Sequence, residues 1–82
     1  MESDEAKLRQ EAEDRLSPEE LESRREESLR LKSDANGHYV ATRFDEAIEA
    51  YTQALQLCPL KFKQDRAIFY SNRAAAKLKK VS

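Results

Sequence analysis

One glycine and two prolines in eighty-two residues leave this chain few ways to reverse direction sharply. Two-residue hairpins and phosphate-cradling loops both rely on glycine, so neither is expected from a chain whose only glycine is Gly37. The remaining residues are dominated by Ala, Leu, Glu, Lys, Arg and Gln, the best helix formers. The sequence therefore predicts an all-α protein. Apolar residues make up 39% and charged residues 38%, so the core must be small and one domain is the upper limit.

Asn36-Gly37 is the one strong hairpin signal, but its flanks do not alternate with a period of two. Gly37 is expected inside a helix instead, at a cost of about 1 kcal/mol. Ser17-Pro18-Glu19-Glu20 reads as a helix start: Ser17 caps, Pro18 suits the first helical position and Glu20 completes a capping box. That helix is expected to run to about Thr42. Its first half, from Leu21 to Ser28, is nearly all polar and is expected to project into solvent. Its second half aligns Leu31, Ala35, His38 and Tyr39 at helical spacing. Thr42-Arg43 is a short turn. Ala47, Ile48, Tyr51, Ala54, Leu55 and Leu57 then stripe a second helix that ends at Cys58-Pro59. A third helix is expected over 63–80, burying Ile68, Ala74 and Ala75 on the preceding pair. The domain reading is an acidic arm over 1–16, disordered or loosely helical, a helical hairpin over 17–59, and an unpaired helix over 63–80.

Residues 1–30 hold 11 acidic and 6 basic side chains, and residues 31–82 hold 5 acidic and 9 basic. A basic body favours acidic partners. The cations form no stripe interleaved with aromatics, so nucleic acid is not expected as a partner. Cys58 and His38 each stand alone, which rules out an internal disulfide or a cysteine-based metal site. Both are expected to have packing roles. No pair of side chains has the spacing of a catalytic dyad or triad, and no enzyme activity, cofactor or metal is expected. The charged N-terminus lacks the apolar segment of a signal peptide, and no run approaches a membrane span. A reduced cytoplasmic setting is the expectation.

Leu31, Asp34, Ala35, His38, Ala47, Tyr51 and Pro59 fall at the spacing of a known helical repeat of about 34 residues. Asp45-Glu46-Ala47-Ile48-Glu49-Ala50-Tyr51, followed by Ala54-Leu55 and Pro59, resembles the second helix of the tetratricopeptide repeat. The first helix resembles it by spacing, with Ala35 where the family has Gly and His38 where it has an aromatic residue. Ser71-Asn72-Arg73-Ala74-Ala75-Ala76 resembles the opening helix of a second repeat. The resemblance implies a repeat over about residues 28–61, the first helix of an incomplete second repeat over 63–80, and an N-terminal piece of a longer array. About three repeats are needed for a stable stack.

Within this resemblance, Lys32, Asn36 and Asn72 match part of the carboxylate clamp with which such co-chaperones hold the C-terminal peptide of heat-shock chaperones. Lys32 and Asn36 share a helix face, and all three offer hydrogen-bond donors to an acceptor-only carboxylate. The family's remaining clamp cations come from a third repeat that does not occur here. Peptide binding is accordingly expected to be weak. The alternative reading is self-association through the uncovered third helix, because Ile68, Phe69, Tyr70 and Leu78 exceed what one neighbouring hairpin can cover.

Overall fold

The computed structural model describes residues 4–82, so Met1–Ser3 of the acidic arm lie outside the described residues. Four helices follow one another: α1 (Asp4–Asp14), α2 (Pro18–Val40), α3 (Phe44–Leu57) and α4 (Lys63–Val81). The start of α2 follows from Ser17, whose Oγ accepts the Glu20 backbone N–H at 3.1 Å and donates to Glu20 Oε1 at 3.2 Å. The first bond is the expected N-cap; the second differs from the expected capping box, because Glu20 reaches back to the Ser17 hydroxyl and not to its backbone N–H.

The α2–α3 turn closes without glycine. Thr42 takes the left-handed conformation at φ 60°. Its N–H bonds to Tyr39 O at 3.0 Å, and Arg43 N–H bonds to His38 O at 2.8 Å. These two bonds are the Schellman pair that satisfies the last carbonyls of a helix. Tyr39 and Phe44 meet edge-on across the turn, 5.5 Å between centroids.

Gly37 lies inside α2, where an added Cβ would meet nothing within 4 Å. Gly37→Ala is therefore expected to stabilise the chain by about 1 kcal/mol, read as a higher urea midpoint at an unchanged slope.

Ala35 on α2 and Ala47 on α3 are both fully buried with Tyr51, and Ala76 of α4 completes this cluster. Small side chains at the crossing let the helix backbones approach closely, so the large Tyr51 can reach all three elements. A second cluster lies toward the other end of α3, where Ala54, Leu55, Cys58 and Phe69 are buried and Leu29, Leu31 and Phe62 pack around them. The molecule measures 41 × 30 × 17 Å. Its shortest dimension is less than two helix diameters, which accounts for a core of few residues.

Two expectations need correction. The side of α4 that docks is one residue later than the apolar pattern suggested: Phe69 and Ala76 are fully buried, whereas Ile68 is 46% exposed and Ala74 and Ala75 are exposed. The first half of α2 is also less solvated than expected. Ser28 is fully buried, and Arg25 donates to Asp65 of α4 at 2.6 Å while its guanidinium lies 5.5 Å from the Phe62 ring centroid. An arginine can link two helices and cover an aromatic ring at once, a role that hydrophobic periodicity cannot register.

The anchorage of α1 is polar. Arg9 donates to Leu55 O at 3.2 Å and Cys58 O at 2.6 Å, and Glu13 accepts the Leu60 N–H at 2.8 Å. Arg66 donates to the same two carbonyls at 2.6 and 2.8 Å. Two guanidinium groups thus converge on the negative end of the α3 dipole.

Candidate functional site

The three candidate residues come from two helices. Lys32 and Asn36 lie one turn apart on α2, and Asn72 lies on α4. Docking of α4 through Phe69 and Ala76 brings Asn72 to the Tyr51 hydroxyl. That hydroxyl also donates to Asn36 Oδ1. The two amides therefore meet over one phenol, although they are far apart in sequence.

Asn36, Tyr51 and Asn72 line a cavity of about 320 Å³ together with Tyr39, Val40 and Ala75. Lys32 is half-buried one turn before Asn36 and is not part of this lining. With its oxygen occupied by Tyr51, the Asn36 amide presents its nitrogen protons, so the polar floor is rich in donors. The rest of the lining is apolar or aromatic. Such a site suits a small acceptor-rich group attached to an apolar neighbour.

Tyr39, Val40, Tyr51 and Ala75 were not singled out as site residues by the sequence. Tyr51 read as core, which it is, but its hydroxyl reaches the cavity. Burial pushes the Tyr51 hydroxyl above its ordinary pKa, and hydrogen bonding from Asn72 works against that shift. Burial likewise pushes the Cys58 thiol up, opposed by hydrogen bonding with Ser28 and by nearby Arg66.

Both groups are thus held neutral by the fold. The unfolded chain ionises first as pH rises, so the stability they contribute is complete below the unfolded pKa values and is lost as pH climbs through the folded ones. Urea midpoints are expected to decline from about pH 8.5, where a free thiol is half ionised. In Cys58→Ala that first decline should disappear. In Tyr51→Phe the later decline, beginning near about pH 10, should shrink.

A second groove of about 430 Å³ lies between α2 and α3 and has the opposite character. Asp34, Asp45, Glu46 and Glu49 line it beside His38, whose Nδ1 accepts from Arg43 Nε at 3.1 Å. His38 is half-buried and tied to the α2–α3 turn. Among the described residues no group of three His, Cys, Asp or Glu side chains could hold a metal ion, and no helix is long and apolar enough to cross a membrane.

Two antiparallel helices closed over paired alanines, with an aromatic residue between them and a third helix laid alongside, define the architecture. This is a tetratricopeptide-type fold. Comparison with known proteins finds partial relatives. The chain is 41% identical over 54 residues to Protein unc-45 homolog B of Danio rerio, a match covering 66% of this chain and 6% of that protein. It is 42% identical over 45 residues to mitochondrial import receptor subunit TOM70 of Rattus norvegicus and of Homo sapiens, covering 55% of this chain and 7% of theirs. The matches thus span less than a tenth of these relatives' length. No protein-family model matches the sequence, and no solved structure does. Three successive helices contribute to the cavity: Asn36 from α2, Tyr51 from α3 and Asn72 from α4.

Proposed function

We propose that this chain is a protein-interaction module that takes acidic C-terminal peptides at the Asn36–Tyr51–Asn72 cavity, with Lys32 supplying charge from one turn away. The carrying observation is the meeting of Asn36 and Asn72 over the Tyr51 hydroxyl. A terminal carboxylate accepts hydrogen bonds and cannot donate them, which matches a floor of amide protons. The C-terminal Glu-Glu-Val-Asp peptide of heat-shock chaperones is the ligand that the family resemblance implies. Similarity to a mitochondrial import receptor subunit fits recognition better than catalysis. The run from Arg24 to Ser28, with Cys58-Pro59 and Asp65 to Ala76, is similar to the opening of the repeat domain of tetratricopeptide repeat protein 1, which fits the same reading.

The family's two further clamp cations have no match among these 82 residues. A hydrogen bond to a charged group contributes roughly 1.5–3 kcal/mol, so their lack weakens binding by about 10² to 10⁴-fold. Titrating the isotope-labelled chain with a Glu-Glu-Val-Asp peptide should shift the side-chain amide resonances of Asn36 and Asn72, with a Kd weaker than about 100 µM. Lys32→Glu and Asn72→Ala should each weaken that further, by about tenfold. Amide resonances of Asn36 and Asn72 that stay in place at millimolar peptide, or an Asn72→Ala chain that binds as well as its parent, overturn the proposal.

A further inference from the structure

Asn36-Gly37 is the only Asn-Gly pair in the sequence, and peptide binding at the cavity uses only its asparagine. An asparagine followed by glycine carries a reaction of its own. The backbone nitrogen of the second residue can close on the side-chain carbon of the first. Glycine, with no Cβ, gives that approach the most room and the most backbone freedom. Both residues are exposed in the structure. An added Cβ at Gly37 would meet nothing within 4 Å, so solvent reaches this peptide bond without obstruction.

Two restraints keep the pair unreactive in the closed fold. Within α2 the Gly37 N–H is tied to the carbonyl four residues earlier, and a helical ψ of about −42° keeps the Gly37 nitrogen out of bonding reach of Asn36 Cγ. The Tyr51 hydroxyl holds the side chain itself, donating to Asn36 Oδ1. Neither restraint lies deep in the molecule. Gly37 begins the last turn of α2, which ends at Val40, and the glycine weakens that turn. The turn is closed by the bonds from Thr42 N–H and Arg43 N–H and by Tyr39 against Phe44. Opening one helix end takes far less free energy than unfolding the whole chain.

We infer that Asn36 is a site of spontaneous deamidation, gated by local opening at the end of α2 and restrained by the Tyr51 hydroxyl. In the open turn the Gly37 nitrogen gives its proton to solvent base and attacks Asn36 Cγ. The bond from Cγ to the amide nitrogen breaks, ammonia leaves, and a five-membered imide closes. One water then opens that ring at either carbonyl, giving aspartate or isoaspartate with no change of oxidation state. Asn72 is the internal control: Arg73 follows it, with a side chain that crowds the same approach, and it lies in the middle of α4. The change is one-way, and it reaches the cavity. An amide that donates is replaced by a carboxylate that only accepts, and an acidic peptide is repelled. This last consequence rests on the proposed function, whereas the conversion itself does not.

The test holds the full chain at mildly alkaline pH and physiological temperature, and follows each asparagine by mass spectrometry of its proteolytic peptides. Asn36 should convert while Asn72 stays intact. Tyr51→Phe should speed the conversion by up to about tenfold, and Gly37→Ala should slow it by at least about fivefold. Cys58→Ala removes a buried side chain from the other cluster without touching the end of α2, so its rate should match the parent's. Conversion at Asn36 no faster than at Asn72, or a Tyr51→Phe rate equal to the parent's, overturns the inference. So does a Cys58→Ala rate raised as much as that of Tyr51→Phe, which would make global unfolding the gate. In the peptide titration Asn36→Asp should bind at least about tenfold more weakly than the parent, and equal binding removes the functional consequence. A parent that binds no peptide counts against the proposed function alone, because the conversion is read by mass.

Discussion

Truncating Phe69 to alanine should release α4 from the helix pair and leave the chain close to unfolded at room temperature. Phe69 is fully buried with Ala54, Leu55 and Cys58. It is also the only large apolar side chain of α4 that is fully buried. Removing a buried phenyl ring costs about 3–5 kcal/mol, from lost transfer energy plus the cavity left behind. A domain of this size has a total stability of about 4–12 kcal/mol, so the loss consumes much of it. The cooperative melt should move down sharply or vanish in circular dichroism. Ile68→Ala, one position earlier and 46% exposed, should cost under about 1 kcal/mol. The pair of variants reads the rotation of α4 directly. If Ile68→Ala were the damaging change, α4 would present its other face to the hairpin, Asn72 would turn away from Tyr51, and the candidate cavity would not form.

Tyr51→Ala is the second change with a large expected effect. Tyr51 is almost fully buried among Ala35, Ala47 and Ala76, and these are too small to collapse into the space it would leave. The loss should again be about 3–5 kcal/mol. Tyr51→Phe separates the two jobs of the residue. It keeps the ring and removes the hydroxyl that donates to Asn36, so stability should fall by only about 0.5–1.5 kcal/mol. The side-chain amides of Asn36 and Asn72 should nevertheless move in the NMR spectrum, because both lose the same partner. A Tyr51→Phe spectrum with both amides unmoved would mean that the phenol does not link the two helices.

From Ser17 onward, where the chain becomes helical was legible because the signals are local. The Ser17–Glu20 cap, the breaks at Thr42-Arg43 and Cys58-Pro59, and the placement of Gly37 inside a helix each depend on a few adjacent residues, and each agrees with the structure. The face of α3 was legible too, since its apolar residues form one broad stripe. Helix α4 was ambiguous for a physical reason. Phe69 with Ala76, Ile68 with Ala75, and Ala67 with Ala74 and Leu78 all recur at helical spacing, so periodicity offers several faces of similar apolarity.

Polar anchorage was the least legible. Arg9 and Glu13 lie in the acidic arm and Arg25 in the stretch expected to project into solvent, and nothing in the sequence marked Arg66. Their actual partners are backbone carbonyls, a backbone N–H, a carboxylate and, for Arg25, an aromatic ring, all supplied by other parts of the chain. Such a long side chain acquires its role only when the elements around it are in place.

The amino-acid order by itself determined helix type and the approximate limits of α2, α3 and α4, because propensity, capping and short-range apolar spacing act within a few residues. Only the tertiary structure decided which side of α4 lies against α3, and with it the meeting of Asn36 and Asn72 over Tyr51. That choice depends on how one phenyl ring and one methyl group fit the surface formed by two other helices, and no local pattern encodes the shape of that surface.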